Sequence, residues 1–174
     1  MFERYSERAR RVIFMALWSA RKRGASYIEP EDLLHAVILE DNGEFAVLSV
    51  EVFGIPSPIQ DKTVPRRFFP EDVAQDLLRE LGHAPESATA ETPSGKREPV
   101  PHSDMPVSRD LKNILGLVAK DAHRKETKTI EPLHLLAALV EDRDSRLAQL
   151  LRDHGITRQK ISRVLDSTPD PSLM

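Results

Sequence analysis

The stretch Ile28-Glu29-Pro30-Glu31-Asp32-Leu33-Leu34-His35-Ala36 returns 102 residues later as Ile130-Glu131-Pro132-Leu133-His134-Leu135-Leu136-Ala137-Ala138, with six of nine positions identical. Each copy reads as the start of a helix. A β-branched residue enters, proline sets φ at the first helical position, an acidic residue faces the positive helix end, and a Leu-Leu pair turns into a core. The same offset, without a gap, pairs Ser6 with Ser108, Val12 with Ile114, Ile13 with Leu115, Ala20 with Ala122, Ala46 with Ala148 and Leu48 with Leu150. A repeated start of this kind implies a repeated unit. Below roughly 70 to 80 residues a single core is marginal, so the two units are expected to pack on each other.

At 174 residues and 40% hydrophobic content, the chain suits one domain with one core. It has no apolar run near the roughly 18 residues that a membrane helix needs, and Met1-Phe2-Glu3-Arg4 does not open a signal peptide. A cytoplasmic protein with no membrane partner is expected. The absence of cysteine removes disulfides, thiolate chemistry and thiolate metal sites. A net charge of −3, from 25 basic and 28 acidic residues, provides no global field for nucleic acid, so none is expected as a partner. Local basic clusters do occur at Arg8, Arg10 and Arg11 and at Arg21, Lys22 and Arg23, the second expected to complement a helix dipole and solvate a surface.

Along the chain, Ser6 is an N-cap before the stripe Ala9, Val12, Ile13, Ala16, Leu17 and Ala20, and Gly24 ends that helix. Pro30 opens a second helix with Leu33, Leu34, Val37 and Ile38 inward, broken at Asp41-Asn42-Gly43. A short third helix is predicted over residues 45–53, followed by a segment whose Pro56, Pro58 and Pro65 forbid a long helix. Pro70-Glu71-Asp72 starts a fourth, carrying Val73, Leu77, Leu78 and Leu81. Residues 82–105, with Pro85, Pro93, Pro99 and Pro101 and almost no large apolar side chains, read as an exposed linker.

The second copy starts at Ser108, with Leu111, Ile114, Leu115, Val118 and Ala122 on one face. It continues from Pro132 with Leu135, Leu136, Leu139 and Val140 inward. Leu147, Leu150 and Leu151 mark its third helix, His154-Gly155 the break, and Thr157 the cap of a fourth carrying Ile161, Val164 and Leu165. The expected fold is all-α, with two pseudo-symmetric repeats of about four helices in one domain over residues 1–166. Repeat one spans 1–81, repeat two spans 106–166, and 167–174 form a flexible tail.

These residues resemble the amino-terminal domain of the Clp family of ATP-driven protein unfoldases. The opening Met1-Phe2-Glu3-Arg4-Tyr5-Ser6-Glu7-Arg8-Ala9-Arg10-Arg11-Val12 is similar to the start of the ClpC type, and Ile130-Glu131-Pro132-Leu133-His134-Leu135 is similar to the ClpB type. The resemblance, over roughly residues 1–165, implies two pseudo-repeats of four helices that bind client proteins or adaptors for an unfoldase. One part of such an unfoldase is missing. None of the seven glycines forms the Gly-x4-Gly-Lys-Ser/Thr loop that cradles phosphates, and Gly95-Lys96 has Ala90 where the first loop glycine belongs. The chain is therefore expected to be a stand-alone interaction module, the alternative being the substrate-receiving fragment of a full unfoldase.

No catalytic constellation stands out. The six histidines never take the His-Glu-x-x-His spacing and no Gly-x-Ser-x-Gly turn occurs, so no enzyme, metal or cofactor is expected. The resemblance to the ClpC type implies one binding chemistry: a hydroxyl at the first N-cap, Ser6, and a carboxylate in the next helix start, Glu31, hold a phosphorylated arginine. Helix N-terminal N–H groups suit its phosphate and a carboxylate its guanidinium. Repeat two keeps Ser108 but has Leu133 in place of the carboxylate, so its site is expected to be the weaker. Against this stands the plainer reading of Ser6 as a cap and Glu31 as a first-turn acid. Trp18, at the edge of the first stripe, is expected to be partly exposed.

Overall fold

The computed structural model describes residues 3–42, 68–81, 106–142 and 145–167. Seven helices occur among them: α1 (Glu7–Lys22), α2 (Pro30–Asp41), α3 (Glu71–Glu80), α4 (Arg109–Arg124), α5 (Pro132–Glu141), α6 (Arg146–Asp153) and α7 (Arg158–Asp166). Helices α1 and α2 correspond to α4 and α5 at the sequence offset, so the all-α double repeat is present. The helix expected over 45–53, the proline-rich segment after it and the linker at 82–105 lie outside the described residues, as does the tail beyond Ser167.

Each start has a chemical cause. The first amide groups of a helix lack intrahelical partners, and side chains supply them. The Ser6 hydroxyl accepts from the Ala9 N–H at 3.1 Å and that of Ser108 from the Leu111 N–H at 3.2 Å, while Ser145 and Thr157 cap α6 and α7. Gly24 and Gly155, at φ +70° and +78°, reverse the chain after α1 and α6, a region that glycine enters without steric cost.

A residue before proline is pushed out of the helical region. Glu29 (φ −109°, ψ 164°) and Glu131 (φ −98°, ψ 164°) are extended for that reason, and the residues just before them pair with the other repeat. Tyr5 forms a parallel bridge with Ile130, and Ile28 forms one with Val107. In the first, Ser6 N–H donates to the Ile130 carbonyl (2.9 Å) and Ile130 N–H to that of Arg4 (2.7 Å). In the second, Ser108 N–H donates to the Ile28 carbonyl (2.9 Å) and Ile28 N–H to that of Pro106 (3.0 Å). The sequence offset turns one bridge into the other, which is the reciprocal pattern of a two-fold axis.

Between the bridges, α2 packs against α5. Leu33, Leu34, Leu135 and Leu136 are fully buried, in one apolar cluster drawn from both repeats. Each such leucine contributes about 1.5–3 kcal/mol relative to exposure. Helix α3 is tied on by Asp41, at the end of α2, whose carboxylate accepts the N–H groups of Phe68 (2.8 Å) and Phe69 (2.9 Å). Burial pushes the Asp41 carboxyl above its ordinary value, against those two hydrogen bonds and the charge of Arg8.

The core faces expected on α4 and α5 are the buried ones. On α1 the buried face is turned: Met15 and Ser19 lie inside with Ala9, Val12, Ala16 and Ala20, whereas Ile13 and Leu17 are only partly covered. Ser19 goes inward because it has polar partners there, which a count of apolar side chains cannot reveal.

Candidate functional site

The two repeated helix starts close differently. In repeat one, Asp32 has no exposed surface. It accepts the Glu29 N–H at 2.9 Å, the Ser19 hydroxyl at 3.3 Å and the Arg23 guanidinium at 2.7 and 3.3 Å. Arg23 also reaches Glu29 at 3.1 Å, and the Asp32 hydrogen bond pushes the guanidinium further above its ordinary value. Arg23 therefore does more than solvate the end of α1: it neutralises a buried charge that would otherwise be costly. The Ser19 oxygen also lies 3.0 Å from Nδ1 of His35. This serine sits between the acid and the imidazole and is itself buried, so the trio braces a core rather than presenting a nucleophile.

In repeat two, His134 stands in place of Asp32, and its Nδ1 accepts the Glu131 N–H at 2.8 Å. A backbone N–H can only donate, so that nitrogen carries no proton and the imidazole is neutral. Burial pushes His134 below its ordinary value, the charge of Lys125 acts in the same direction, and Glu131 and Asp121 oppose. The Glu131 carboxylate in turn accepts the Ser6 hydroxyl at 3.0 Å.

The crossing of the chain decides which predicted site residues meet. Glu31 and Ser108 line one open groove of about 520 Å³, and Ser6 is not among the residues that line it. Ser6 takes the symmetry-related position, with its hydroxyl on Glu131 and with Leu133 following where Glu31 follows Glu29. The ClpC resemblance paired Ser6 with Glu31, whereas the two bridges set each helix start beside the cap segment of the other repeat.

Three helix starts converge on the groove: Glu29, Pro30 and Glu31 from α2, Ser108 and Asp110 from α4, and Ser145, Arg146 and Leu147 from α6, with Asp142 alongside. Its walls thus combine carboxylates, which attract a guanidinium or ammonium, with helix N-termini and Arg146, which attract an anion. Sequence reading missed Asp110, Asp142, Ser145 and Arg146. The Asp110 and Ser145 positions were legible as a first-turn acid and a cap, but nothing local joins them to Glu31. Trp18 is partly exposed, as expected, and lies beneath the Lys22 ammonium, 5.0 Å from the ring centroid.

Among the described residues, no group of three or more histidines and carboxylates could hold a metal ion, and no helix is long and apolar enough to cross a membrane.

The fold has solved counterparts. The N-terminal domain of the caseinolytic protease associated chaperone ClpD from Arabidopsis thaliana is similar with a TM-score of 0.59 and 18% identity, over 96% of this chain and 97% of that one. The Hsp104 N-terminal domain from Candida albicans is similar with a TM-score of 0.57 and 17% identity, over 92% and 88% of the two chains. At these identities the likeness speaks for the fold alone. The sequence adds the family: the model of the Clp repeat (R) N-terminal domain matches residues 70–154 and 106–171, together more than half of the chain. With a double helical repeat, crossed junctions and that match, the chain belongs to the Clp repeat N-terminal domain family.

Proposed function

We propose that this chain is a non-enzymatic protein-interaction module that receives client proteins or adaptors for a Clp-type unfoldase, acting in protein quality control and ATP-dependent proteolysis in the cytoplasm. Its binding site is the groove shared by the two repeats. There an arginine side chain, phosphorylated on its guanidinium, has its cationic part against Glu31 and its phosphate at the start of α4 beside Ser108. The observation that carries this reading is the convergence of Glu31 and Ser108 on one groove with both signs of charge in its walls. The related position at Ser6 is the weaker binder. Leu133 offers no charge there, and leaving one end of a buried polar group unpaired costs about 1–3 kcal/mol.

Titrating phosphoarginine while following backbone amide shifts tests the site. Shifts are expected around Glu31, Ser108 and Ser145 and are expected to vanish in Glu31→Ala. Equal shifts around Ser6, or none at all, would remove the phosphoarginine reading. A second reading, that the chain is the substrate-receiving domain of a whole unfoldase, draws support from the solved counterparts, both described as N-terminal domains. Reading the gene beyond Met174 for an ATPase module separates the two.

A further inference from the structure

We propose that His134 is a proton-operated latch on one of the two junctions between the repeats: a proton on Nδ1 removes the acceptor that caps α5 and loosens Ile130 from Tyr5, while the Ile28–Val107 junction stays closed.

The geometry carries this. Nδ1 of His134 receives the Glu131 N–H at 2.8 Å, so a protonated ring would set donor against donor. The ring must then turn, and a carboxylate within its reach, that of Glu131, is the one holding the Ser6 hydroxyl at 3.0 Å. Ser6 N–H donates to the Ile130 carbonyl and Ile130 N–H to that of Arg4, so the cap and the junction share the same few residues. At the other junction the corresponding acceptor is the Asp32 carboxylate, which needs no bare ring nitrogen to accept the Glu29 N–H.

The ring shares a cavity of about 20 Å³ with Asp121 of α4, Lys125 at the C-cap of that helix, Glu141 of α5 and Arg158 of α7. Arg4 reaches the Thr127 carbonyl at the cavity edge. Asp121 is engaged by Arg124, Lys125 and Arg158, and Glu141 by Arg158, so these acids are already matched by cations.

The sign follows from the depressed value of His134. The folded state binds this proton less readily than the unfolded chain, so the stability that His134 contributes is complete above the ordinary 6.5 and is lost as pH falls below it.

Amide and imidazole spectra of the full chain, recorded from about pH 8 to about pH 5, test the latch. The His134 ring should titrate below 6.5. The amides of Ser6, Ile130 and Glu131 should follow that midpoint and lose exchange protection several-fold, while those of Ile28 and Ser108 keep theirs. His134→Asn keeps an oxygen acceptor without the proton and should abolish the step. His134→Asp, copying the first repeat, should do the same. A midpoint at or above 6.5, equal loss at both junctions, or survival of the Ser6 and Ile130 step in either variant would overturn the proposal.

Discussion

The helix start at Glu29-Pro30 and the one at Glu131-Pro132 meet the same backbone demand with different chemistry. Both need an acceptor for the N–H just before the proline. Repeat one uses a buried carboxylate, which cannot stand alone and is matched by Arg23. Repeat two uses a neutral imidazole, which needs no counter-charge but loses its lone pair when protonated. The carboxylate therefore ties α1 to α2 through an ion pair, whereas the imidazole leaves its junction open to control by protons. The difference extends one residue outward, where Glu31 gives the first start a charged side chain at the groove and Leu133 denies it to the second. A pseudo-symmetric backbone can thus carry an asymmetric surface.

Separating the repeats is the most drastic way to break the comparison. Residues 1–81 expressed alone should neither melt cooperatively nor remain monomeric, because Leu33 and Leu34 are fully buried in a cluster completed by repeat two. Calorimetry together with sedimentation checks this, and a cooperative monomer would refute it. Next in size, Leu34→Ala and Leu136→Ala should each cost about 2–5 kcal/mol in denaturant unfolding, since both side chains have no exposed surface. A value well under that range at one position would show that the halves of the core are not equivalent.

The caps themselves should separate the repeats more finely. Asp32→Ala leaves the Glu29 N–H, the Ser19 hydroxyl and the Arg23 guanidinium without their shared acceptor, for a loss of about 2–3 kcal/mol, while His134→Ala strands one backbone donor for about 1 kcal/mol. Urea titration of both variants at neutral pH gives the ordering, and a reversed one would contradict the account of the caps. The smallest stability effect belongs to Glu31→Ala. This exposed residue should alter stability by less than about 0.5 kcal/mol while removing the phosphoarginine-induced shifts.

Much of the architecture was legible locally. Pro30, Pro132, Ser6 and Ser108 announce helix starts through rules that operate within one turn, and the apolar spacing on α4 and α5 selects the faces that are buried. Reading α1 from apolar spacing alone left Ser19 outside, because its burial depends on Asp32 and His35, thirteen and sixteen residues away. Arg23 was read as a surface charge for the same reason. The candidate site was legible by residue type but not by grouping: Glu31 and Ser108 were both singled out, yet the family resemblance joined Glu31 to Ser6, and only Ser108 lines the groove with Glu31.

What the sequence by itself determined, then, is the repeated unit: its helix starts, its inward leucines and the number of copies. Those follow from interactions between near neighbours, where chain geometry leaves few choices. Only the tertiary structure decided that each start would lie against the other repeat's cap, that a groove would form there, and that one junction would rest on a carboxylate and the other on an imidazole. The physical reason is that a two-fold packing exchanges partners between halves: the short extended segments before Glu29 and Glu131 can bridge either repeat as far as local rules go, and only the meeting of α2 with α5 selects the crossed arrangement.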